Sequence, residues 1–298
     1  MRTICDLAKL LLDFSNDDGI FQTPIPRVSI MRSSIPTTPE LVLYEPAICV
    51  VAQGRKEARL NNQIYHYDSA HYLLGSVQLP VFGAVTEATK SSPYLCLRLD
   101  LDSALIAELT ELCTKTSDSE GTTSGLNLGS MDDQLVDTVV RLTETLQCPQ
   151  NIAVLSPLIE RELIWRLLQN PQSHTVLVQM ATANSRLRRI KKAITWLETH
   201  FTESISINKL ASIANMGQSG FYKHFKDVTG TSPIRFRSHL RLMAARRLML
   251  VEGYAAAEAG FEVGYKEPSQ FSREYSKQFG LPPKHDSIRL KGNFQSVL

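Results

Sequence analysis

Two segments in the C-terminal third of the chain repeat one pattern of residues at a distance of fifty positions. The first segment, FYKHFKDVTGTSP, begins at Phe221, and the second, FSREYSKQFGLPP, begins at Phe271. Each copy follows an Ala-rich amphipathic stretch and a three-residue break. The residues that match between the copies are two aromatics, a glycine and a proline: Phe221, Phe225, Gly230 and Pro233 match Phe271, Tyr275, Gly280 and Pro283. Helix, tight turn and helix, repeated once, predicts two helix-turn-helix units that place two DNA-reading helices.

Charge is distributed unevenly along the chain. Residues 184–298 hold 19 Lys and Arg against 9 Asp and Glu, whereas residues 1–183 hold 13 against 21, so the net charge of the 298 residues is only +2. A basic C-terminal third is typical of a module that binds phosphate groups, although a solvated basic face without a ligand has the same composition. The length allows two domains with separate cores. We therefore predict an α+β chain with domains at residues 1–183 and 184–298.

Cysteine usage and hydropathy indicate a cytoplasmic location. The cysteines are five in number, widely spaced and without a C-x-x-C pair: Cys5, Cys49, Cys96, Cys113 and Cys148. This pattern fits a reducing compartment and argues against a disulfide framework. The N-terminal apolar patch is short and contains Asp6, Lys9 and Asp13, so it predicts an amphipathic helix rather than a signal peptide. No segment reaches the ~18 apolar residues needed to span a bilayer.

The N-terminal half has sequence patterns typical of β-strands, and patterns typical of helices follow them. Short runs rich in Val, Leu and Tyr, separated by turn residues, predict a sandwich or small barrel over about residues 20–102. The polar Gly- and Ser-rich residues 117–130 are predicted to form a loop. Within about residues 103–172, apolar stripes predict one helix over residues 131–147 and another that opens at Pro157. These helices either pack on their own domain or form a dimer surface.

Single residues mark the predicted helix ends in the two helix-turn-helix units. Ser206 is positioned to cap a helix that runs to Ala214, because its hydroxyl accepts a hydrogen bond from a free N–H of the first turn. Asn215 falls where the tight turn requires a left-handed backbone. In the second unit Gly264 takes that position without steric cost.

The spacing of the aromatic residues fixes which face of each second helix points outward. Aromatics four positions apart face the core, so the residues between them are exposed. The exposed sets are Gln218, Ser219, Tyr222, Lys223 and Lys226 in the first unit, and Ser269, Gln270, Ser272, Arg273 and Lys277 in the second. Their amide, guanidinium, hydroxyl and ammonium groups suit base edges and phosphates of a major groove. A long connecting helix with Arg237, Arg241, Arg246 and Arg247 is expected to hold the units about 34 Å apart along one duplex, with the DNA bent where needed.

These segments resemble the DNA-binding domain of the AraC/XylS transcription regulators. The resemblance rests on LASIANMGQSGFYKHFKDVTGTSP, LRLMAARRLML and VGYKEPSQFSREYSKQFGLPP, which occur in this order, and covers about residues 187–290. It implies that the domain reads double-stranded promoter DNA and contacts RNA polymerase. It assigns base reading to Ser219, Tyr222, Lys223, Ser269, Gln270, Ser272 and Arg273. We expect phosphate contacts from Gln218, Lys226, Arg241 and Lys277.

Two glycines depart from the pattern of that family. Gly217 stands where the family often has a serine that caps the helix. Gly260 lies inside the helix that precedes the second turn, where a glycine costs roughly 0.5–1 kcal/mol relative to alanine. We therefore expect the second unit to be the looser one.

The N-terminal half resembles the cupin-like domain of one AraC-type subgroup. The matching runs are LYEPAICVVAQGRKEARL, YDSAHYLLGSVQLPV and SPYLCLRLDL. The resemblance implies a barrel that binds a small-molecule effector and supports a homodimer. Candidate effector contacts are the aromatic, polar and thiol side chains of the strands: Tyr44, Cys49, Gln53, Tyr65, Tyr67, Tyr72 and Cys96.

The sequence offers little for catalysis. His66 and His71 are five positions apart, which places them on opposite faces if they share one straight strand, and neither a metal nor a cofactor is predicted. Phosphate-binding glycine loops, nucleophile elbows and H-E-x-x-H motifs are missing from the sequence. We therefore predict a sequence-specific regulator. That it activates transcription is implied by the family resemblance alone. The alternatives are a metal-dependent cupin enzyme with a DNA-binding tail and a non-specific architectural DNA binder.

Overall fold

The computed structural model describes residues 2–113 and 124–295, with side chains as far as residue 290. Contacts divide the chain into two compact units, residues 1–39 with 43–188 and residues 40–42 with 189–298. The division falls between Arg188 and Arg189, inside a helix, whereas the sequence placed the boundary at residues 183 and 184. No helix within these described ranges has both the length and the apolar composition for a membrane span.

The described residues form ten strands in two sheets, and all of them except residues 40–42 belong to the first unit. The strands are β1 (Gly19–Gln22), β2 (Val28–Ser33), β3 (Glu40–Tyr44), β4 (Ala47–Gln53), β5 (Arg55–Leu60), β6 (Gln63–Tyr67), β7 (His71–Gly75), β8 (Leu79–Glu87), β9 (Tyr94–Asp100) and β10 (Leu126–Ser130). One sheet has the order β1-β2-β9-β4-β7-β10 and the other β3-β8-β5-β6. Side chains of the two sheets meet between them, and we call this two-sheet structure the barrel. The prediction of a β-rich N-terminal domain is confirmed.

The predicted loop at residues 117–130 is wrong at its C-terminal end. Residues 126–130 form β10, which pairs with β7 so that Leu128 lies opposite Leu73. The alternation of Leu126 and Leu128 gives this short strand one apolar side. Gly129 is needed there because a Cβ atom would lie 2.0 Å from the ring of Tyr72. The first part of the predicted loop, to residue 123, lies outside the described residues.

Five α-helices accompany the barrel in the part of the first unit that the structure describes, and one of them begins earlier than predicted. They are α1 (Ile4–Phe14), α2 (Ser103–Glu111), α3 (Asp133–Glu144), α4 (Pro149–Gln169) and α5 (Pro171–Ala181). The helix predicted to open at Pro157 opens at Pro149, and Pro157 lies inside it. An interior proline costs about 3 kcal/mol. Buried residues on both sides of it, from Ile152 to Leu168, pack α4 against α3 and α5 and outweigh that cost.

As far as residue 295, the second unit has seven helices, four of which form two helix-turn-helix pairs. Its helices are α6 (Arg186–His200), α7 (Ile207–Ile213), α8 (Gln218–Thr229), α9 (Pro233–Val251), α10 (Ala256–Glu262), α11 (Pro268–Phe279) and α12 (Pro283–Gln295). The pairs are α7 with α8 and α10 with α11, and α9 connects them. The fold predicted from the repeated segments is confirmed.

The local signals for the helix ends are also confirmed. The Ser206 hydroxyl accepts from the Lys209 N–H at 3.2 Å. Asn215 has φ +51° and Gly264 has φ +91°, so both turns use the left-handed backbone. Gly217 provides no side-chain cap to α8, as its departure from the family pattern implied.

Equivalent aromatic clusters form the cores of the two pairs. The Phe225 ring lies 5.5 Å from those of Phe221 and Phe236. In the second pair, Phe271 packs 5.4 Å from Tyr265 and 5.5 Å from Tyr275. These contacts bury one face of α8 and one face of α11, and they determine which residues each helix presents to solvent.

Candidate nucleic-acid interface

Helices α8 and α11 present the predicted polar sets on their outer faces. Phe221 and Phe225 are 0% exposed, whereas Tyr222, one position along the helix, is 46% exposed. The exposed members of the two sets are Gln218, Ser219, Tyr222, Lys223 and Lys226 on α8, and Ser269, Gln270, Arg273 and Lys277 on α11. Ser272 is half-buried. This exposure is what groove-facing side chains require, and their division into base readers and phosphate contacts stays a prediction.

The predicted phosphate contact at Arg241 is wrong, because this side chain points into the second unit. Arg241 is 9% exposed. Its Nε donates to the carbonyl of Phe201 at 2.6 Å, and its Nη2 donates to the carbonyls of Thr202 and Glu203 at 2.8 and 3.3 Å. Its guanidinium also lies 5.6 Å from the ring centroid of Tyr265. Arg241 therefore ties the chain after α6 to the second turn and leaves no free donor fork for DNA.

Two further arginines of α9 are used inside the same unit. Arg237 donates to the Glu203 carbonyl at 3.0 Å. Arg246 Nε donates to Asp286 Oδ2 at 2.9 Å, and that carboxylate also accepts from Tyr275 and Arg289. Burial opposes the charge of Asp286, but these hydrogen bonds outweigh it and hold its pKa below the usual 3.8. The basic residues of α9 thus join α9, α11 and α12.

The glycine that seemed to weaken the second unit has a packing reason. A Cβ atom on Gly260 would lie 3.0 Å from the ring of Phe271. Ala211 occupies the matching position of the first unit and is 2% exposed. The close approach of α11 to α10 therefore requires glycine, and the expectation of a looser second unit does not follow from Gly260.

One carboxylate near the middle of α11, that of Glu274, accepts hydrogen bonds from three side chains. Glu274 Oε2 accepts from the hydroxyls of Ser238 and Tyr265, both at 2.8 Å. Glu274 Oε1 accepts from Gln270 Nε2 at 3.0 Å. Because one amide hydrogen of Gln270 is engaged, its side chain is held in one orientation with the carbonyl oxygen available. The sequence reasoning missed Glu274, although its position four residues after Gln270 is the helical spacing for such a contact.

Four of the predicted effector contacts converge in the barrel. Cys49 on β4 pairs with Arg98 on β9, and Cys96, two residues from Arg98, points to the same face. Cys49 therefore lies beside Arg98 and on the same face as Cys96. Across the interior, the hydroxyls of Tyr44 and Tyr67 are 3.4 Å apart.

Two side chains that the sequence did not single out belong to the same interior. Lys56 on β5 places its Nζ 5.7 Å from the ring centroid of Tyr44 and 5.9 Å from that of Tyr94. Tyr94 lies on the same face of β9 as Cys96. The alternation in RKEARL, which places Lys56 on the face of Ala58 and Leu60, was a usable signal for an inward ammonium.

Tyr72 is wrongly placed among the predicted effector contacts. It is 1% exposed, and it lies on the other face of β7, where its hydroxyl donates to Ser173 Oγ on α5 at 3.1 Å. Gln53 follows a register shift at the end of β4, and its amide donates to the Pro93 carbonyl at 2.8 Å. Tyr65 faces inward from the middle of β6, with its hydroxyl 3.1 Å from that of Ser124.

The two histidines of the sequence analysis do not share a strand. His66 lies on β6 and His71 opens β7, so the assumption of one straight strand was wrong. His66 is exposed, and His71 Nδ1 lies 3.0 Å from Asp68 Oδ1. Throughout the described ranges, no group of three or more His, Cys, Asp or Glu side chains is arranged to hold a metal ion.

The sequence of the chain matches two family models. The AraC-type transcriptional regulator N-terminus matches residues 24–175, which is about half of the chain. A helix-turn-helix domain matches residues 210–286. The first match runs from β2 into α5, and the second runs from within α7 into α12.

Curated relatives match over part of their length. The HTH-type transcriptional activator RhaS of Escherichia fergusonii is 28% identical over 131 residues, which cover 44% of this chain and 46% of RhaS. The lactose operon transcription activator of Staphylococcus xylosus is 23% identical over 148 residues, covering 49% of this chain and 51% of the activator. The chain thus spans about half the length of the curated relatives it matches.

Solved structures share the two-domain fold. ToxT from Vibrio cholerae with a bound unsaturated fatty acid superposes with a TM-score of 0.56 at 10% identity, covering 88% of this chain and 94% of ToxT. ToxT from strain O395 gives a TM-score of 0.55 at 12% identity, covering 89% and 98%. At such identities the likeness concerns the fold. The match to the N-terminal family model over half of the sequence establishes that the chain belongs to the AraC-type transcriptional regulators.

Proposed function

We propose that the chain is a sequence-specific DNA-binding transcription regulator, and an activator, controlled by a small-molecule effector in the barrel. The observation that carries this proposal is the duplication of a helix-turn-helix pair with outward polar faces on both second helices. A single amphipathic helix exposes such residues in many proteins. Two of them joined by one helix, in a strongly basic unit, favour a duplex as the ligand.

The outer faces divide into two kinds of DNA contact in this proposal. The base readers are Ser219, Tyr222, Lys223, Ser269, Gln270, Ser272 and Arg273. Arg273 has the donor pair for guanine O6 and N7, and Gln270 can meet the edge of adenine. Phosphate contacts come from Gln218, Lys226 and Lys277, which fix the protein on the duplex without reading its sequence.

The partners of the whole protein follow from its family and its relatives. RhaS and the lactose operon protein are activators by name, which supports activation and hence a contact with RNA polymerase. The N-terminal family match supports a homodimer and an effector-binding barrel without catalytic activity. Because such a regulator binds chromosomal DNA, we expect it in the cytoplasm.

The proposed mechanism is a shift between two populations. Effector binding in the barrel changes the fraction of molecules whose two reading helices can dock on one duplex together. A ligand shifts such an equilibrium only through its different affinity for the two states. The effect on transcription is therefore limited by the ratio of those affinities.

Selection of duplexes from a random library, followed by competition binding, tests the proposal. A specific regulator should prefer its selected operator over random DNA by roughly 10³-fold or more. Equal binding to both would identify a non-specific architectural protein instead.

Two matched substitutions test the division of contacts. Arg273→Ala should lose base preference at one operator position, because it removes a bidentate base contact. Lys226→Ala should weaken binding to all duplexes and reduce the salt dependence by about one phosphate contact. If both variants behaved alike in a salt titration with the operator and its point variants, the assigned roles would be incorrect.

A further inference from the structure

An ammonium group without a carboxylate partner lies between the two sheets of the barrel. Lys56 extends from β5 between the rings of Tyr44 and Tyr94. The nearby acidic residues are paired with other cations: Glu57 with Arg59 at 3.4 Å, and Asp100 with Arg98 at 2.7 Å. None of the ion pairs formed by residues 2–113 and 124–290 includes Lys56.

Lys56 keeps its charge in this position. Burial opposes the ammonium, but interactions with Tyr44, Cys49 and Cys96 outweigh it and raise the pKa of Lys56 above its usual value. Lys56 is half-buried, and a charge that is partly removed from water is more stable when it is paired. The two tyrosine rings provide a cation–π contribution, and the place of a full counter-charge is left open.

A second donor faces the same space. Tyr94 is 1% exposed, and its hydroxyl has no hydrogen-bond partner among the described residues. Burial, followed by the nearby thiols, raises the pKa of Tyr94 well above its usual value, so the phenol keeps its proton. A buried hydroxyl without a partner costs about 1–3 kcal/mol, which a ligand that accepts its hydrogen bond would recover.

Part of this interior is accessible to solvent. Cys49 and Lys56 point inward from their strands, yet both keep part of their surface accessible to water. Solvent therefore reaches the side chains of both residues.

We infer that the effector of the barrel is a small organic carboxylate, held by the Lys56 ammonium and the Tyr94 hydroxyl. The carboxylate supplies the missing counter-charge and accepts the hydrogen bond that Tyr94 leaves unused. This inference names the ligand class of the effector site and rests on the proposed function.

Calorimetric titration of the full chain with matched pairs of probes tests the ligand class. The pairs are benzoate with benzamide and acetate with acetamide, which differ in charge and hardly in shape. We expect at least one carboxylate to bind about tenfold or more tightly than its amide, the effect of one charge-assisted hydrogen bond. Equal affinities within both pairs, or no binding of either carboxylate at millimolar concentration, would overturn the inference.

Three substitutions locate the site. Lys56→Met keeps the length of the side chain and should abolish the preference for carboxylate over amide. Lys90→Met removes an exposed lysine of the same unit and should leave that preference unchanged. Tyr94→Phe should weaken carboxylate binding about tenfold. A preference that survives Lys56→Met would show that the anion binds elsewhere.

Operator binding, measured with and without the same probes, separates this inference from the proposed function. Carboxylate binding that depends on Lys56 but leaves operator affinity unchanged would support the ligand class and contradict effector control. An operator response to the neutral amides alone would support effector control and overturn the carboxylate assignment.

Discussion

Replacement of Gly264 by alanine should destabilise the second unit through two separate effects. Gly264 has φ +91°, and a Cβ atom there would lie 2.3 Å from the Thr202 carbonyl oxygen and 2.8 Å from Arg241 Nη2. The left-handed backbone costs a non-glycine residue about 1–2 kcal/mol. The added Cβ atom would clash with the Thr202 carbonyl oxygen, which already accepts a hydrogen bond from Arg241 at 2.8 Å. Relieving this clash requires either the loss of that hydrogen bond or a shift of the backbone, at a cost of about 2–3 kcal/mol.

Gly280 provides the matched control for the backbone term alone. Its φ is +78°, and nothing lies within 4 Å of the position of its Cβ atom. Gly280→Ala should therefore cost only about 1–2 kcal/mol. The difference between the two variants, about 2–3 kcal/mol, isolates the contact between the second turn and the chain after α6.

Urea unfolding followed by tryptophan fluorescence measures the two costs. The chain has two tryptophans, and in a Trp165→Phe background the remaining one, Trp196, lies on α6 in the second unit. With a urea dependence of about 2 kcal/mol per M, the midpoint of Gly264→Ala should fall about 1–1.5 M below that of Gly280→Ala. Equal midpoints would refute the claim that Thr202 and Arg241 clamp the turn at Gly264.

Further substitutions test other contacts of the second unit. Gly260→Ala should destabilise the second unit because the new Cβ atom would lie 3.0 Å from the ring of Phe271. Gly220→Ala has open space at its Cβ atom and should stabilise α8 by up to about 1 kcal/mol. Thermal unfolding that ranks the two variants in the opposite order would contradict this packing. Asp286→Asn should cost about 3 kcal/mol at pH 7. Because the folded pKa of Asp286 is lowered, its contribution is present above the usual 3.8 and lost as the pH falls through the folded value, so the variant and the parent should converge in acid unfolding curves. Glu274→Ala should free the Gln270 amide and relax the base preference at the same operator position as Gln270→Ala, with unchanged affinity for random duplexes. If a panel of operator variants showed that the two substitutions relax different positions, Glu274 would not orient Gln270.

The helical half was largely predictable because its signals are local. Ser206, Asn215 and Gly264 mark their turns through backbone and capping rules that involve only neighbouring residues. The pairs Phe221 with Phe225 and Phe271 with Tyr275 fixed the outer faces of α8 and α11 by helical spacing alone. A repeat in the sequence then implied a repeat in the fold.

Errors arose where a residue's role depends on what packs against it. Pro157 is a typical first-turn signal, yet packing of α4 against its neighbours carries the helix through it. Arg241 lies in a basic helix, but the free carbonyls after α6 draw its guanidinium inward. Tyr72 and Tyr67 are equivalent strand residues in the sequence, and the pleat sends them to opposite sides of the barrel wall.

The sequence by itself determined the two domains, the duplicated helix-turn-helix pairs and the residues that they expose, because helical periodicity and turn chemistry act within a few residues. Only the tertiary structure decided that Lys56, Tyr94, Cys49 and Cys96 meet in one interior and that Glu274 holds Gln270. Those groups lie on strands and helices whose pairing, register and facing side depend on long-range contacts. Charge compensation in a buried space is likewise a property of the assembled fold, since it depends on which groups the packing leaves without a partner.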